Sequence, residues 1–339
     1  MKINLNNNKL KSLILLSLVS SASTNEGNPN NQTGIDLNNN QLPEVAANFT
    51  KRQAIAGDPN KTLVFAGYPV ALSDNVNING VSKRFIKYCT AGFMIVNNNS
   101  SNCVKDIHFE SGNDYGGFLT STFCWPTTPG IYSSDVYGWD GSLLLGRLHY
   151  GSLGTDIVDY GYISNNGTWN NLKLIPYVRG NKELYPVTGL GSVILGSKVC
   201  AYGTVSGHLC GNITEINAKL TVPYPYFPVD PKGNLALITL GGLSKVDLGV
   251  NGFYGEENLG GPVYVESNIG GQTTAQALGY ITNFDNSDPN HKSFYYTQLD
   301  TVLKKLLADH NCTYTLMTYN EQQSTNKDFQ AQVEIPPKK

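Results

Sequence analysis

From Leu63 to about residue 285 the chain is a succession of short apolar runs, each stopped by Gly, Asn or Pro. Ala91-Gly92-Phe93-Met94-Ile95-Val96, Gly117-Phe118-Leu119-Thr120, Ser142-Leu143-Leu144-Leu145 and Ala236-Leu237-Ile238-Thr239-Leu240 are examples. Runs this short, with turn residues between them, form strands rather than helices. Repeated along a chain of this length they build a sandwich or a barrel. The 35 glycines and 20 tyrosines fit the same reading, and the fold class is all-β. One stretch departs from it. Between Tyr295 and Asn311, Leu299, Val302, Leu303, Leu306 and Leu307 recur at helical spacing with Lys304 and Lys305 among them, which predicts one amphipathic helix packed on the sheets.

Charged residues make up 15% of the chain and the net charge is -2, which excludes a nucleic-acid surface and a polybasic membrane patch. Residues 1–24 place lysines (Lys2, Lys9, Lys11) before the apolar run Leu13–Val19 and the small residues Ser21-Ala22-Ser23, the order of a signal peptide. The run is too short to span a bilayer, so the expected location is extracellular and not the membrane. Eight Asn-x-Ser/Thr sequons, at Asn31, Asn48, Asn60, Asn98, Asn99, Asn166, Asn212 and Asn311, point the same way. Of these, Asn99, Asn166, Asn212 and Asn311 are the glycosylation candidates. Residues 25–62 are polar and aperiodic and read as a flexible leader, and residues 316–339, ending Pro-Pro-Lys-Lys, read as a loose tail. The six cysteines, at 89, 103, 124, 200, 210 and 312, suit disulfides in an oxidising compartment, with the pairing left open by the count. There is no Cys-x-x-Cys, and the five histidines (108, 149, 208, 291, 310) have no ligand spacing, so neither a metal nor a cofactor is expected.

Four segments carry a more specific signal. Cys200-Ala-Tyr-Gly203-Thr-Val-Ser-Gly207-His208-Leu-Cys210-Gly-Asn-Ile places two cysteines ten apart around two glycines. Upstream stand Cys89-Thr-Ala-Gly92-Phe93 and then Phe118-Leu119-Thr120-Ser121-Thr122-Phe123-Cys124. Val158-Asp159-Tyr160-Gly161-Tyr162-Ile163 follows, and the last segment is Glu256-Glu257-Asn258-Leu259-Gly260-Gly261-Pro262-Val263. In content and order these resemble the bacterial, streptogrisin and α-lytic branch of the chymotrypsin-like serine proteases. That resemblance implies two six-stranded antiparallel barrels within 63–315, with halves of about 63–180 and 181–315. It implies the disulfides Cys89–Cys124 and Cys200–Cys210, the latter closing a hairpin and contributing about 2–3 kcal/mol. Cys103 and Cys312 are left over; they can pair, or one can bond a partner. His208 is expected to be structural.

The departures from the family pattern fall on the chemistry. The family reads Phe-(Val/Leu)-Thr-Ala-Gly-His-Cys and Gly-Asp-Ser-Gly-Gly-Pro; here Phe123 stands for the general base and Leu259 for the nucleophile. Asp159 stands for the buried acid, with Asp156 as the alternative. The oxyanion positions fall on Glu257 and Leu259, where a carboxylate side chain replaces glycine. Acyl transfer needs an attacking lone pair, an imidazole to take its proton and backbone donors for the oxyanion. Leu259 has no lone pair and Phe123 no ring nitrogen. The specificity-pocket wall falls near Tyr280-Ile281-Thr282-Asn283 and is bulkier than in the family. The expected function is therefore a noncatalytic homologue that binds a protein, peptide or glycan. The alternative is an active endopeptidase with displaced residues, drawing on His149 with Ser121 or Ser206, or on a nucleophile at Ser244 or Ser267.

Overall fold

The structure, a computed structural model, describes residues 54–55, 58–78, 81–97, 116–124, 134–139, 141, 143–151, 158–164, 172–224, 236–249, 252–253, 255–285, 291–311 and 313–319. The short apolar runs become strands. The first group is β1 (Ala54–Ile55), β2 (Asp58–Ala66), β3 (Pro69–Ile78), β4 (Val81–Thr90), β5 (Met94–Asn97), β6 (Gly116–Thr120), β7 (Ser134–Gly138), β8 (Leu144–Gly151) and β9 (Gly161–Ser164). The second is β10 (Leu172–Arg179), β11 (Leu184–Leu190), β12 (Lys198–Gly203), β13 (Gly207–Tyr224), β14 (Ala236–Asp247), β15 (Pro262–Ile269), β16 (Gln272–Phe284) and β17 (Ser293–Gln298). Helix α1 (Leu299–His310) and strand β18 (Tyr314–Leu316) complete the described chain.

Two closed ladders result. In the first, antiparallel pairing runs β4–β3–β7–β8–β9–β6–β5. Its two ends are one piece of chain: β4 and β5 are joined by Ala91-Gly92-Phe93, where Gly92 N–H donates to Leu119 O at 2.7 Å and Leu119 N–H to Phe93 O at 3.0 Å. A single bent strand thus pairs with β3 at one end and β6 at the other, giving six strands around. In the second, β12–β13–β14–β17–β16–β15–β12 closes directly because β16 pairs with both β15 and β17. Between the rings, β2 pairs in parallel with β10, β10 turns back into β11, and β11 runs parallel to β16. The two-barrel, six-strand expectation matches these ladders.

Period-two alternation assigns the two faces of each strand. Val199 and Ala201 of β12 point into the main core with Ile213, Leu243, Val246, Val263 and Ile281. Cys200 points the other way, into a second cluster with Tyr264, Tyr280, Phe93, Tyr160 and the helix residues Leu299, Val302 and Leu306. Leu299, Val302 and Leu306 of the predicted stripe are buried there, Leu303 packs beside them partly buried and Leu307 is exposed, while Lys304 and Lys305 make i,i+4 pairs with Asp300 and Asp309 at 2.7 and 3.0 Å.

Three boundaries differ from the sequence reading. The helix begins at Leu299 rather than Tyr295, because Tyr295–Gln298 remain in β17, paired to β14 and β16. The stretch read as a leader to residue 62 contains β1 and the start of β2, held by their pairing and by the parallel β2–β10 ladder. The stretch read as a tail from 316 begins inside β18, whose Leu316 pairs with Ile95; beyond it Met317 N–H donates to Met94 O at 2.9 Å and Tyr319 N–H to Val187 O at 2.7 Å. Apart from the local β1–β2 and β16–β17 pairings, these partners are distant in sequence, so no local pattern encodes them.

Candidate functional site

Asp159 stands two residues before β9 and is fully buried. Its carboxylate accepts hydrogen bonds from Ser121 Oγ at 2.8 Å and from Thr122 N–H at 2.7 Å, and also from the Thr122 hydroxyl. Burial raises its pKa above the ordinary carboxylate value, against the lowering effect of the bonds from Thr122, Ser121 and Thr282. Tyr280 Oη donates to the Asp159 carbonyl at 2.5 Å, fixing the backbone as well. Ser121 Oγ accepts from Phe123 N–H at 3.1 Å, so the turn Thr122–Cys124 is tied to the acid by hydroxyls on the two residues before the ring. Phe123 itself is buried at 8% exposure.

Leu259 is buried at 4% exposure and ends a short 3-10 turn, Glu256–Asn258. Its N–H donates to Glu256 O at 3.0 Å. Its carbonyl accepts from Thr90 N–H at 2.9 Å and lies 3.5 Å from Cys124 Sγ, which brings Leu259 to the residue next to Phe123. Residues 123, 159 and 259, far apart in sequence, therefore share one region. Glu257 is partly exposed; its carbonyl accepts from Thr90 Oγ1 at 2.8 Å. Glu256 pairs with Lys87 at 2.8 Å, and the lysine holds its carboxyl below the ordinary value.

The Gly-Gly-Pro that follows has steric reasons to be there. Gly260 has φ +80°, and a Cβ on it would stand 2.2 Å from Thr120 Oγ1 and 2.3 Å from Thr90 O. A Cβ on Gly261 would stand 2.2 Å from Tyr202 O. Asn258 is fully buried and saturated: Oδ1 accepts from Val205 and Ser206 N–H at 3.1 Å each, and Nδ2 donates to Ser206 Oγ and Gly255 O at 3.0 Å each. It ties the 256–258 turn to the β12–β13 hairpin, a role that residue spacing does not encode. The same holds for Thr90, whose hydroxyl also bonds Thr204 at 2.7 Å.

The Cys89–Cys124 and Cys200–Cys210 disulfides are both formed. Cys103, Cys312, Asp156, Asn99 and Asn166 lie outside the described residues, whereas Asn212 and Asn311 are exposed. Of the displaced candidates, Ser121 is fully buried and committed to Asp159, and Ser206 is bonded to Asn258. Ser244 is also fully buried and accepts from Gln298. His149 lies on β8. His208 Nε2 meets Glu266 Oε1 at 2.8 Å. The wall residues Tyr280, Ile281 and Thr282 are fully buried. Among the described residues one group of side chains has the makings of a metal site: Cys200, His208, Cys210 and Glu266.

No protein-family model matches the chain. Streptogrisin-C of Streptomyces griseus is 24% identical to it over 180 residues, which is 48% of this chain and 36% of that protein. The chain thus spans about a third of that relative's length. Among solved structures, Thermobifida fusca Protease A is similar at TM-score 0.47 and 19% identity, over 76% of this chain and 100% of that one. A Cellulomonas bogoriensis chymotrypsin is similar at TM-score 0.46 and 17% identity, again over 76% and 100%. The match to streptogrisin-C agrees with the four segments: the chain is similar to the bacterial chymotrypsin-like proteases.

Proposed function

We propose that this chain is a secreted homologue of the chymotrypsin-like serine proteases that does not hydrolyse peptide bonds and acts by binding a protein, peptide or glycan. The observation that carries the reading is at Leu259. At the position where attack would begin, a buried aliphatic side chain offers no lone pair, and its backbone N–H is spent on Glu256 O at 3.0 Å. An oxyanion hole works through donors aimed at the oxygen that becomes charged, and a donor closed into a 3-10 turn is not so aimed. The neighbouring donor position belongs to Glu257, whose carboxylate opposes negative charge.

The place of the base supports the same reading. The buried acid of a triad orients an imidazole and stabilises its cation. Here the carboxylate of Asp159 is occupied by Ser121 and Thr122, and Phe123 carries no nitrogen. Removing one member of such a unit costs about a millionfold in rate. The disulfides support an oxidising compartment and hence secretion.

A fluorophosphonate probe, which labels only an activated serine, tests the reading on the full chain, with a streptogrisin-type protease as the labelled control. No labelling and no peptide hydrolysis are expected. A labelled serine would overturn it in favour of an endopeptidase with displaced residues. A pull-down from the extracellular fluid then identifies the ligand class.

A further inference from the structure

On the face of β12 and β13 opposite the main core, in the hairpin whose tip Asn258 ties to the 256–258 turn, Cys200 and Cys210 stand directly opposite each other. His208, two residues before Cys210, projects from the same face of β13, and Glu266 reaches in from β15. His208 Nε2 lies 2.8 Å from Glu266 Oε1 and 3.7 Å from Cys210 Sγ. The four ligand atoms, one per residue, all lie within 4.8 Å of one another. Cys200 is buried, whereas the side chains of His208 and Glu266 keep 12% and 31% exposure, so an ion can enter from solvent.

We propose that this cluster is a redox-gated zinc site, closed while Cys200 and Cys210 are bridged and opened when a dithiol reduces them. The dithiol supplies two electrons and two protons: the Sγ–Sγ bond breaks, both cysteines become thiols and the dithiol closes to its own disulfide. Zinc then displaces the two thiol protons to solvent and takes two thiolates, the His208 imidazole through Nε2 and one Glu266 oxygen. Two soft sulfurs with an imidazole and a carboxylate are a donor set for Zn²⁺ rather than for Ca²⁺ or Mg²⁺.

The geometry needs little movement. Tetrahedral zinc, with Zn–S and Zn–N/O lengths of about 2.3 and 2.0–2.1 Å, places its ligands about 3.3–3.8 Å apart. The Cys210–His208 separation of 3.7 Å already fits. Once the bridge is reduced the sulfurs are free to part, and the His208–Glu266 contact must open from 2.8 Å, a shift of about 0.5 Å that side-chain rotation can supply. The hairpin keeps the thiols opposed after reduction, because six residue pairs from Lys198↔Asn212 to Gly203↔Gly207 hold the register.

The test uses the full chain and cobalt as a spectroscopic stand-in for zinc. After dithiol treatment and anaerobic desalting, Co²⁺ should bind with a thiolate-to-cobalt charge-transfer absorption and tetrahedral ligand-field bands, and zinc should displace it. The untreated chain should show neither. His208→Ala and Glu266→Gln should each weaken cobalt binding by about tenfold or more. The double variant Cys200→Ser/Cys210→Ser should lose the charge-transfer band while keeping the far-ultraviolet β signal. The inference is overturned if the reduced chain gives no such band. It is overturned equally if the double variant keeps the band, or if reduction abolishes the β signal, since the site requires the hairpin to persist.

Discussion

Leu259→Ser puts a hydroxyl where the proposed function places the point of attack, and the structure determines what that costs. Leu259 is 4% exposed and its backbone is pinned on both sides, by its N–H on Glu256 and by Thr90 N–H on its carbonyl. A pinned backbone cannot collapse into the space a shorter side chain leaves. Buried Leu→Ala changes cost about 2–5 kcal/mol, more where the cavity persists. A serine hydroxyl brought into an apolar site adds about 1–3 kcal/mol if it finds no partner. The two together give a loss of about 3–8 kcal/mol. With an m-value of about 2–3 kcal/mol/M, the urea midpoint should fall by about 1–4 M. The same variant, also carrying Phe123→His, should remain unlabelled by fluorophosphonate, because the Leu259 N–H stays committed to the 256–258 turn. Equilibrium urea melts followed by intrinsic fluorescence, run beside the labelling assay, measure both. A midpoint unchanged or raised would refute the packing argument; labelling of the double variant would refute the blocked oxyanion donor.

Asp159→Asn removes a carboxyl that burial raises from its ordinary value of 3.8. A folded-state pKa above the unfolded one means that the folded chain holds the proton more tightly. That contribution is complete below the unfolded value and is lost as pH rises through the folded one. Relative to Asp159→Asn, the parent chain should therefore lose stability on going from about pH 3 to neutrality; parallel urea midpoints across that range would refute it. Gly260→Ala should cost at least about 3 kcal/mol or abolish soluble expression, since its Cβ would overlap Thr120 Oγ1 and Thr90 O at a φ of +80°, and a melt within about 1 kcal/mol of the parent would contradict this. Lys87→Ala should cost less than about 1 kcal/mol, with the difference vanishing at high salt, because the Lys87–Glu256 pair is partly exposed; a loss of several kcal/mol that persists in salt would show the pair to be structural.

Much of the architecture was legible because it is written locally. Short runs with Gly and Pro between them become strands, Leu299, Val302 and Leu306 become a buried helix face, and two cysteines bracketing Gly203 and Gly207 become a closed hairpin. Where helix and tail boundaries differ from the sequence expectation, partners far along the chain decide them. Tyr295–Gln298 stay extended because β14 and β16 flank them, and Leu316 is ordered because β5 offers an open edge. The hydroxyls around Asp159 were likewise invisible: Ser121 and Thr122 look like ordinary turn residues until the fold sets a buried carboxylate beside them.

Residue identity alone determined which atoms exist at the site: a hydrocarbon at 259, a hydrocarbon ring at 123, a carboxylate at 159 and another at 257. Those are covalent facts, and no folding can give Leu259 a lone pair. Only the tertiary structure decided where the remaining hydrogen-bonding groups point. The Leu259 N–H turns to Glu256, Asn258 ties that turn to the 204–206 loop, and His208 meets Glu266 beside a disulfide. A backbone donor has the same chemistry at every residue, and its direction is set by partners that folding brings together from far along the chain.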